Sequence, residues 1–537
     1  MRVAAVQFAV GQDVSANLAS CLRMIDQAAA EGADLVVLPE FCNHLSWYDD
    51  RDHARRMACR PGDAFLTAVA DRAARHGVHV KINVTLARDD GRTTGTNLLF
   101  GPSGALLGQS DKQTLMGSEN DHLHRGSENG PVVRTAFGTV GMYACMEGVA
   151  PEVARGLALR GAQVLLNSLN SFATDEASLH IPVRAAENRV WVVAANKVGP
   201  LLPADKLDAI SAGLKVPSQW LHGAGESQVV APDGTVVAKG PRTGEAVVVA
   251  DIDPAAALDK RRPDGTDRFT ARRGPLYAAI GRPPQPPARP QAAGSMRAAV
   301  VRATTPDALQ RHTRDVLAAG ATLLVLPELA EPWVVPAMRE LLDGTEAVAV
   351  TSVLEDGAHT GVVVSGAGVI GRQRQLHPVA RLAADVRRHG DGLATFDLPW
   401  GRLAVVVGDD AIYPEVFRLA AIAGADVVAV PFTPAEDWEL ALGLPERAAE
   451  NRINIVAAAP LGMPAAFYGL SPDFTLWTAW EGPFTGRISH PIVTGVAAGT
   501  PAATAELAPA QSRNKLVSRG TDLLDGRPWQ LVDALTR

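Results

Sequence analysis

The sequence repeats itself once, and in order. Gly32-Ala-Asp-Leu-Val-Val-Leu-Pro-Glu40 returns as Gly320-Ala-Thr-Leu-Leu-Val-Leu-Pro-Glu328. Pro151-Glu-Val-Ala-Arg155 returns as Pro414-Glu-Val-Phe-Arg418, and Arg184-Ala-Ala-Glu-Asn-Arg189 as Arg447-Ala-Ala-Glu-Asn-Arg452, both at one shared offset. Lys260 with Gly265-Thr-Asp267 returns as Lys515 with Gly520-Thr-Asp522. Two long copies indicate duplication or fusion of a whole domain, not a solenoid of short units. Between them lies RPPQPPARPQAAGS, Pro-rich and without a helix or strand period, which reads as a semi-rigid linker. A new start follows it, Met296-Arg-Ala-Ala-Val-Val, mirroring Met1-Arg-Val-Ala-Ala-Val. The expected organisation is one domain over 1–281, a linker over 282–295 and a second domain over 296–537.

Within a copy, apolar runs suited to buried strands alternate with helical spacing. Strands are predicted at 2–9, 34–38, 78–86, 96–101, 132–136, 139–145, 163–167, 190–197, 226–231 and 245–251. Helices are predicted at 15–31, 63–76, 151–160 and 176–189. This is an α/β pattern, with antiparallel hairpins at Asp89-Asp90-Gly91 and Pro232-Asp233-Gly234. A net charge of −7 and no Lys/Arg-dense block argue against a nucleic-acid partner. No apolar run reaches the ~20 residues of a membrane span. The N-terminus turns polar at Gln12 and Asp13, too soon for a secretory signal, so a cytoplasmic location is expected. The four cysteines, Cys21, Cys42, Cys59 and Cys145, all fall in the first copy without CxxC spacing, which fits neither a disulfide framework nor a zinc ribbon.

Chemistry concentrates in that first copy. Cys145 ends a strand-like run shortly before a helix opens at Pro151, a place where helix amides can favour a thiolate; a buried inert cysteine is the plainer reading. Glu40 directly follows an apolar strand, at the carboxyl end where open α/β sheets place ligands. Lys112 and Glu119 are unremarkable singly.

Taken together these residues resemble the nitrilase, or carbon–nitrogen hydrolase, superfamily. The resemblance rests on Leu-Pro-Glu40, on Lys112, on Glu119 with Gly126 downstream, and on Phe137-Gly-Thr-Val-Gly-Met-Tyr-Ala-Cys145-Met-Glu147. The stretch Arg184-Ala-Ala-Glu-Asn188 and Arg273-Gly-Pro-Leu-Tyr277 add to it. It implies two α-β-β-α sandwich domains in tandem, packed as an internal pseudo-dimer. It also implies a Glu40–Lys112–Cys145 triad. Cys145 is the nucleophile, Glu40 the base, and Lys112 the cation beside the developing negative charge, joined by the backbone N–H of Met146. Glu119 would orient Lys112 or substrate. No cofactor or metal is implied; His122 and His124 lack a third ligand and read as surface or substrate-lining residues.

The implied substrate is a small amide or carbamoyl compound. Cys145-Met-Glu147 and the Lys112-to-Glu119 spacing resemble nitrilases, whereas Arg-Ala-Ala-Glu-Asn188 resembles amidases, so a nitrile substrate, or transfer of the acyl group to an amine, stays open. A non-catalytic binding protein is the remaining alternative. Trp47, Tyr48, Glu147, Asn167 and Asn170 are candidate substrate contacts, with Asp49 and Asp50 hinting at a cationic group. In the second copy the offset places Gln375 at Lys112, Leu382 at Glu119 and Gly408 at Cys145; only Glu328 persists. That copy reads as a pseudoenzyme domain, Glu328 as a structural carboxylate, and the helices opening at Pro151 and Pro414 as the apolar faces that pack the two halves together.

Overall fold

A computed structural model describes residues 1–472 and 486–537. Each half carries two six-stranded sheets. In the first half, one sheet runs Ala246–Asp251, Arg2–Gln7, Leu35–Val37, His79–Ala87, Thr93–Phe100 and Leu106–Asp111 across its width. The other runs Val236–Lys239, Gln228–Val230, Trp191–Ala195, Val164–Ser168, Gly138–Ala144 and Val132–Thr135. The second half repeats both orders around Met296–Val301 and Val427–Pro431. The chain is thus two α-β-β-α sandwich domains in tandem.

Period-two alternation builds the layers. Val3, Ala5, Leu35 and Val37 point between the sheets, against Val140, Met142, Val164 and Leu166. Ala4, Val6 and Val36 point the other way, onto Cys21, Ile25, Leu66 and Val69 of the helices Val14–Ala30 and Ala64–His76. Asp63 caps the second of these, accepting from Leu66 N at 2.9 Å, and Gly77 ends it at φ 66°. Both expected hairpins form, joining His79–Ala87 to Thr93–Phe100 and Gln228–Val230 to Val236–Lys239. The helix expected over 176–189 divides into a π-helical turn, Glu176–His180, and the α-helix Ile181–Asn188. Strands Leu106–Asp111 and Val236–Lys239 and helices Arg51–Met57 and Ala204–Leu214 were outside the expected set.

The repeated Arg-Ala-Ala-Glu-Asn-Arg motif has a structural reason. In both copies its last arginine is left-handed, at φ 49° for Arg189 and 47° for Arg452, and ends the helix. The freed carbonyls are then capped by the repeated lysine. Lys260 Nζ donates to Asn188 O and Arg189 O at 2.9 and 2.8 Å, and Lys515 Nζ to Asn451 O and Arg452 O at 2.8 and 2.9 Å.

The halves meet through charge as much as through apolar packing. Arg155 Nε lies 2.9 Å from Glu415 Oε1, and Arg418 Nε lies 2.8 Å from Glu152 Oε1. Arg184 reaches Glu450 at 2.6 Å, and Arg447 reaches Glu187 at 2.5 Å. All eight side chains are buried. The helices Pro151–Leu159 and Pro414–Ile422 therefore meet by reciprocal ion pairs as well as by apolar side chains, with Leu159 packed against the cluster that holds Val416, Leu419 and Ala420. Terminal segments cover much of their apolar surface. Tyr277 and Ile280 of the first half cluster with Val416, Phe417 and Ala420 of the second, and Leu535 of the second half lies against Gly156 of the first.

A buried ion left without its partner is costly. Arg418→Met strands Glu152 and should lower unfolding free energy by about 3–5 kcal/mol, read as a shift in the denaturant midpoint. A loss below about 1 kcal/mol, the size of an exposed pair, would show that these contacts do not bind the halves.

Candidate active site

Glu40 is placed by the loop that follows Leu35–Val37. That loop is stapled to the neighbouring strand: Leu38 N donates to Lys81 O at 2.9 Å, Phe41 N to the Asn83 side chain at 3.0 Å, and Cys42 N to Asn83 O at 2.8 Å. Glu40 N donates across to Leu169 O of the other sheet at 3.1 Å. Phe41 adopts φ 49° to make the corner. Glu40 is fully buried as a result.

Lys112 leaves the end of strand Leu106–Asp111 and lies between two carboxylates. Its Nζ is 2.8 Å from Glu40 Oε1 and 3.0 and 2.8 Å from the two Glu119 oxygens. Glu119 also accepts from Met116 N at 2.9 Å, which fixes its rotamer. Burial opposes the Lys112 charge, yet Glu119, Glu40 and Cys145 together hold its ammonium well above the usual lysine range. Burial first, then the negative charge of Glu40, pushes Glu119 upward against the pull of Lys112.

Cys145 opens the 3-10 turn Cys145–Gly148 at φ 48°, a left-handed backbone that a cysteine rarely takes. Two sequence candidates hold it there. Asn167 Oδ1 accepts the Cys145 N–H at 3.0 Å. Glu147 accepts Ala144 N at 2.8 Å and Gln113 N at 2.7 Å, so each of its oxygens is taken by a backbone amide. Burial, eased by those amides and by Lys112, pushes the Glu147 carboxyl up to about 7. At Cys145 the surroundings favour the thiol, against the thiolate that helix amides can favour. Burial and the charges of Glu40 and Glu176 raise it well above the ordinary cysteine value, with Lys112 opposing.

The remaining candidates spread out. Met146 is buried beside Val149 and Ala173. Tyr48 shares a hydrogen bond with Thr85 Oγ1 at 2.7 Å and stacks on His44. Trp47 lies under the Lys206 ammonium at 5.3 Å, and Asn170 Oδ1 is buried without a partner. Asp49 and Asp50 are exposed, with Asp50 capping helix Arg51–Met57. His122 packs edge-on to Tyr48, and His124 Nδ1 accepts from Thr93 N at 3.2 Å.

Sequence reasoning missed two residues beside the sulfur and the carboxylates. Glu176 Oε1 is 3.9 Å from Cys145 Sγ, its carboxyl raised by burial to about 8. Lys197 is fully buried, its Nζ without a hydrogen-bond partner among the described residues and 6.0 Å from the Phe41 ring that Lys112 also faces at 5.6 Å. Burial lowers it to about 8, with Glu40 and Cys145 among the charges opposing the fall. Its position after Trp191–Ala195, at a strand's carboxyl end, was the available signal.

The carbon–nitrogen hydrolase family model matches residues 2–262. A nitrilase from Pyrococcus abyssi is 30% identical over 262 residues, 49% of this chain and 92% of the relative. The chain belongs to the carbon–nitrogen hydrolase family. A nitrilase from Paraburkholderia phymatum is 28% identical over 56% of this chain and 92% of its own length. An N-carbamoylputrescine amidase from Arabidopsis thaliana is 25% identical over 52% of this chain and 94% of its own. This carbon–nitrogen hydrolase thus carries its family match in the first half.

In the second half the same backbone encloses a filled site. Gly408 keeps φ 53° and Leu329 keeps φ 54°, matching Cys145 and Phe41. A Cβ on Gly408 would fall 2.6 Å from Glu328 Oε2 and 2.9 Å from His359 Cε1. Gln375 hydrogen-bonds His359 Nδ1 at 2.7 Å, and Arg381 pairs with Glu328 and Asp409 at 2.7 Å each. Arg262 of the first half closes the cluster against Asp409 and Glu439.

Gly408→Ala should therefore lower stability by about 1–3 kcal/mol through overpacking, read as a drop in the denaturant midpoint. Glu328→Gln should leave turnover within about twofold of wild type, below 0.6 kcal/mol in barrier. A larger fall in rate at unchanged stability would place Glu328 in the chemistry.

Proposed function

We propose that the first half hydrolyses a non-peptide C–N bond in a small amide or carbamoyl compound through a covalent acyl-enzyme on Cys145. The observation that carries this reading is Lys112, held within 3.0 Å of both Glu40 and Glu119 in a buried site that also holds Cys145. Glu40 accepts the Cys145 proton as the sulfur attacks the carbonyl carbon. The oxyanion forms against the Lys112 ammonium and the Met146 N–H. Collapse breaks the C–N bond, and the leaving nitrogen departs with the proton that Glu40 returns. Water then gives its proton to Glu40 and attacks the thioester, releasing the carboxylic acid and restoring the thiol. Glu119 keeps Lys112 in place; Glu147 and Asn167 keep the nucleophile turn in place. Trp47, Tyr48 and Asn170 are the side chains left to meet substrate.

A nitrile is the second reading, favoured by the two relatives named nitrilases. Incubation with a panel of amides, nitriles and carbamoyl compounds, followed by intact mass and product analysis, separates the two. Added amines reveal transfer instead of hydrolysis. Cys145→Ala should abolish turnover with the fold intact, and Glu40→Gln and Lys112→Ala should fall comparably, since members of one catalytic unit are not additive. Turnover within about tenfold of wild type, 1.4 kcal/mol, in Cys145→Ala would overturn the assignment.

We also propose that residues 1–281 and 296–537 act as the two members of an internal pseudo-dimer joined by the linker 282–295. The four reciprocal Arg–Glu contacts support this, since each half carries charges buried by the other. Expressed alone, residues 1–285 should self-associate, aggregate or lose activity, and residues 296–537 added in trans should restore it. A fully active monomer, read by light scattering and assay, would overturn the pseudo-dimer.

A further inference from the structure

The four pairs that join Arg155, Arg184, Arg418 and Arg447 to the facing half obey the internal repeat; the contact between His180 and Glu446 is among those that do not. Glu446 occupies the place held by Val183 in the first copy, and His180 the place held by Gly443 in the second. These two unmatched residues face each other. His180 Nδ1 lies 2.8 Å from Glu446 Oε2, and its Nε2 lies 3.4 Å from Asp175 Oδ2. Both side chains are fully buried. The mirror position, Val183 and Gly443, carries no charge. The extra polar contact is therefore directed at the live site alone.

Two arms lead from Glu446 to the sulfur. Its Oε1 accepts from Arg184 Nη2 at 2.6 Å. Arg184 Nε in turn donates to Gly148 O at 2.9 Å, and Nη2 to Val149 O at 3.2 Å, holding the end of the turn that Cys145 begins. The second arm runs through His180 to Asp175. That carboxylate also accepts Ile488 N at 2.9 and 2.8 Å and Ser489 N at 2.8 Å, both from the second half. The next residue, Glu176, reaches Cys145 Sγ at 3.9 Å. A neighbouring contact has the same origin: Thr521 Oγ1 accepts Gly117 N at 2.9 Å and donates to Leu115 O at 2.8 Å, bracing the loop that carries Glu119.

We propose that Glu446 of the catalytically empty half is a positioning residue for the first half's nucleophile, acting through Arg184 on the Cys145–Gly148 turn and through His180 and Asp175 on Glu176. The proposal rests on the reading of Cys145 as nucleophile. It gives the second half a function that explains its retention: the live site is incomplete without it.

The test compares two full-length variants. Glu446→Gln removes the charge that joins both arms. Glu415→Gln removes an equally buried charge between the halves that serves Arg155 and Arg272, away from the sulfur. The readouts are the rate of Cys145 alkylation by iodoacetamide, followed by peptide mass, and kcat and KM on whichever panel compound wild type turns over. Misplacing a reacting group by about 1 Å costs about 10²-fold. Glu446→Gln should accordingly lose about tenfold to a hundredfold in alkylation rate and kcat, with KM little changed. Glu415→Gln should lose unfolding midpoint and keep both rates. His180→Asn breaks one arm from the other side and serves if Glu446→Gln fails to fold. Wild-type rates in Glu446→Gln, or equal rate losses in both Gln variants, would overturn the proposal. Turnover surviving in Cys145→Ala would overturn the nucleophile reading itself, and this one with it.

Discussion

One buried ammonium organises this site. Glu40 and Glu119 are both out of water, and two carboxylates that close cannot both stay ionised unless a cation lies between them. Lys112 supplies it, within 3.0 Å of each. The second half shows the consequence of losing that charge. With Gln375 in the lysine's place, Glu328 pairs instead with Arg381. Arg381 brings in Asp409, which lies beside Gly408, and Asp409 in turn needs Arg262 from the other half. One substitution in charge is followed through a whole cluster, because a buried ion cannot be left alone. The pseudo-site is therefore a rebuilt salt-bridge core, not an emptied pocket, and no single reversion restores it.

The backbone outlasts the chemistry. Gly408 retains the left-handed turn of Cys145, although a glycine makes that turn at no steric cost and the cysteine must be braced by Asn167 and Glu147. Asp410, in the place of Glu147, still accepts the amides of Leu376 and His377, so the turn survives as fold. Cys145 is a side chain added to a corner that the architecture makes anyway.

Much of this was legible in the sequence. The tandem organisation and the α/β alternation follow from repeats and apolar periods, because those record local backbone demands; the sandwich layers and the Glu40–Lys112–Cys145 set came only through the resemblance of the short motifs to a family. Two kinds of information were not legible. Glu147 and Asn167 read as open polar residues, yet both are spent on backbone amides, a fact that depends on rotamers. Glu176 and His180 lie in a π-helical turn where the spacing suggested unbroken helix, so the residues facing the sulfur could not be counted off at 3.6 per turn. The interface was legible only in part, for a related reason. Leucines and valines at helical spacing suggested an apolar seam, which terminal segments join, but spacing does not show that the conspicuous Arg-Ala-Ala-Glu-Asn motif supplies charges that cross between halves.

That charge pattern also bears on which halves pair. A buried salt bridge is weak evidence of stability, since apolar residues of similar size often serve as well. It is stronger as a device for choosing partners, because a wrong partner leaves ions unmet. The reciprocal pairs do not choose: Arg155, Glu152, Arg184 and Glu187 have counterparts in Arg418, Glu415, Arg447 and Glu450, so two first halves could satisfy them equally well. The His180–Glu446 contact does choose. A first half facing another first half would meet Val183 where Glu446 now stands, leaving a buried imidazole without its nearer carboxylate and Arg184 without one of its acceptors. Divergence between the copies has thus done two things at once. It put Gly408 and Gln375 in one half where the other has Cys145 and Lys112, and it gave the other half buried contacts that this partner meets and a copy of itself would not.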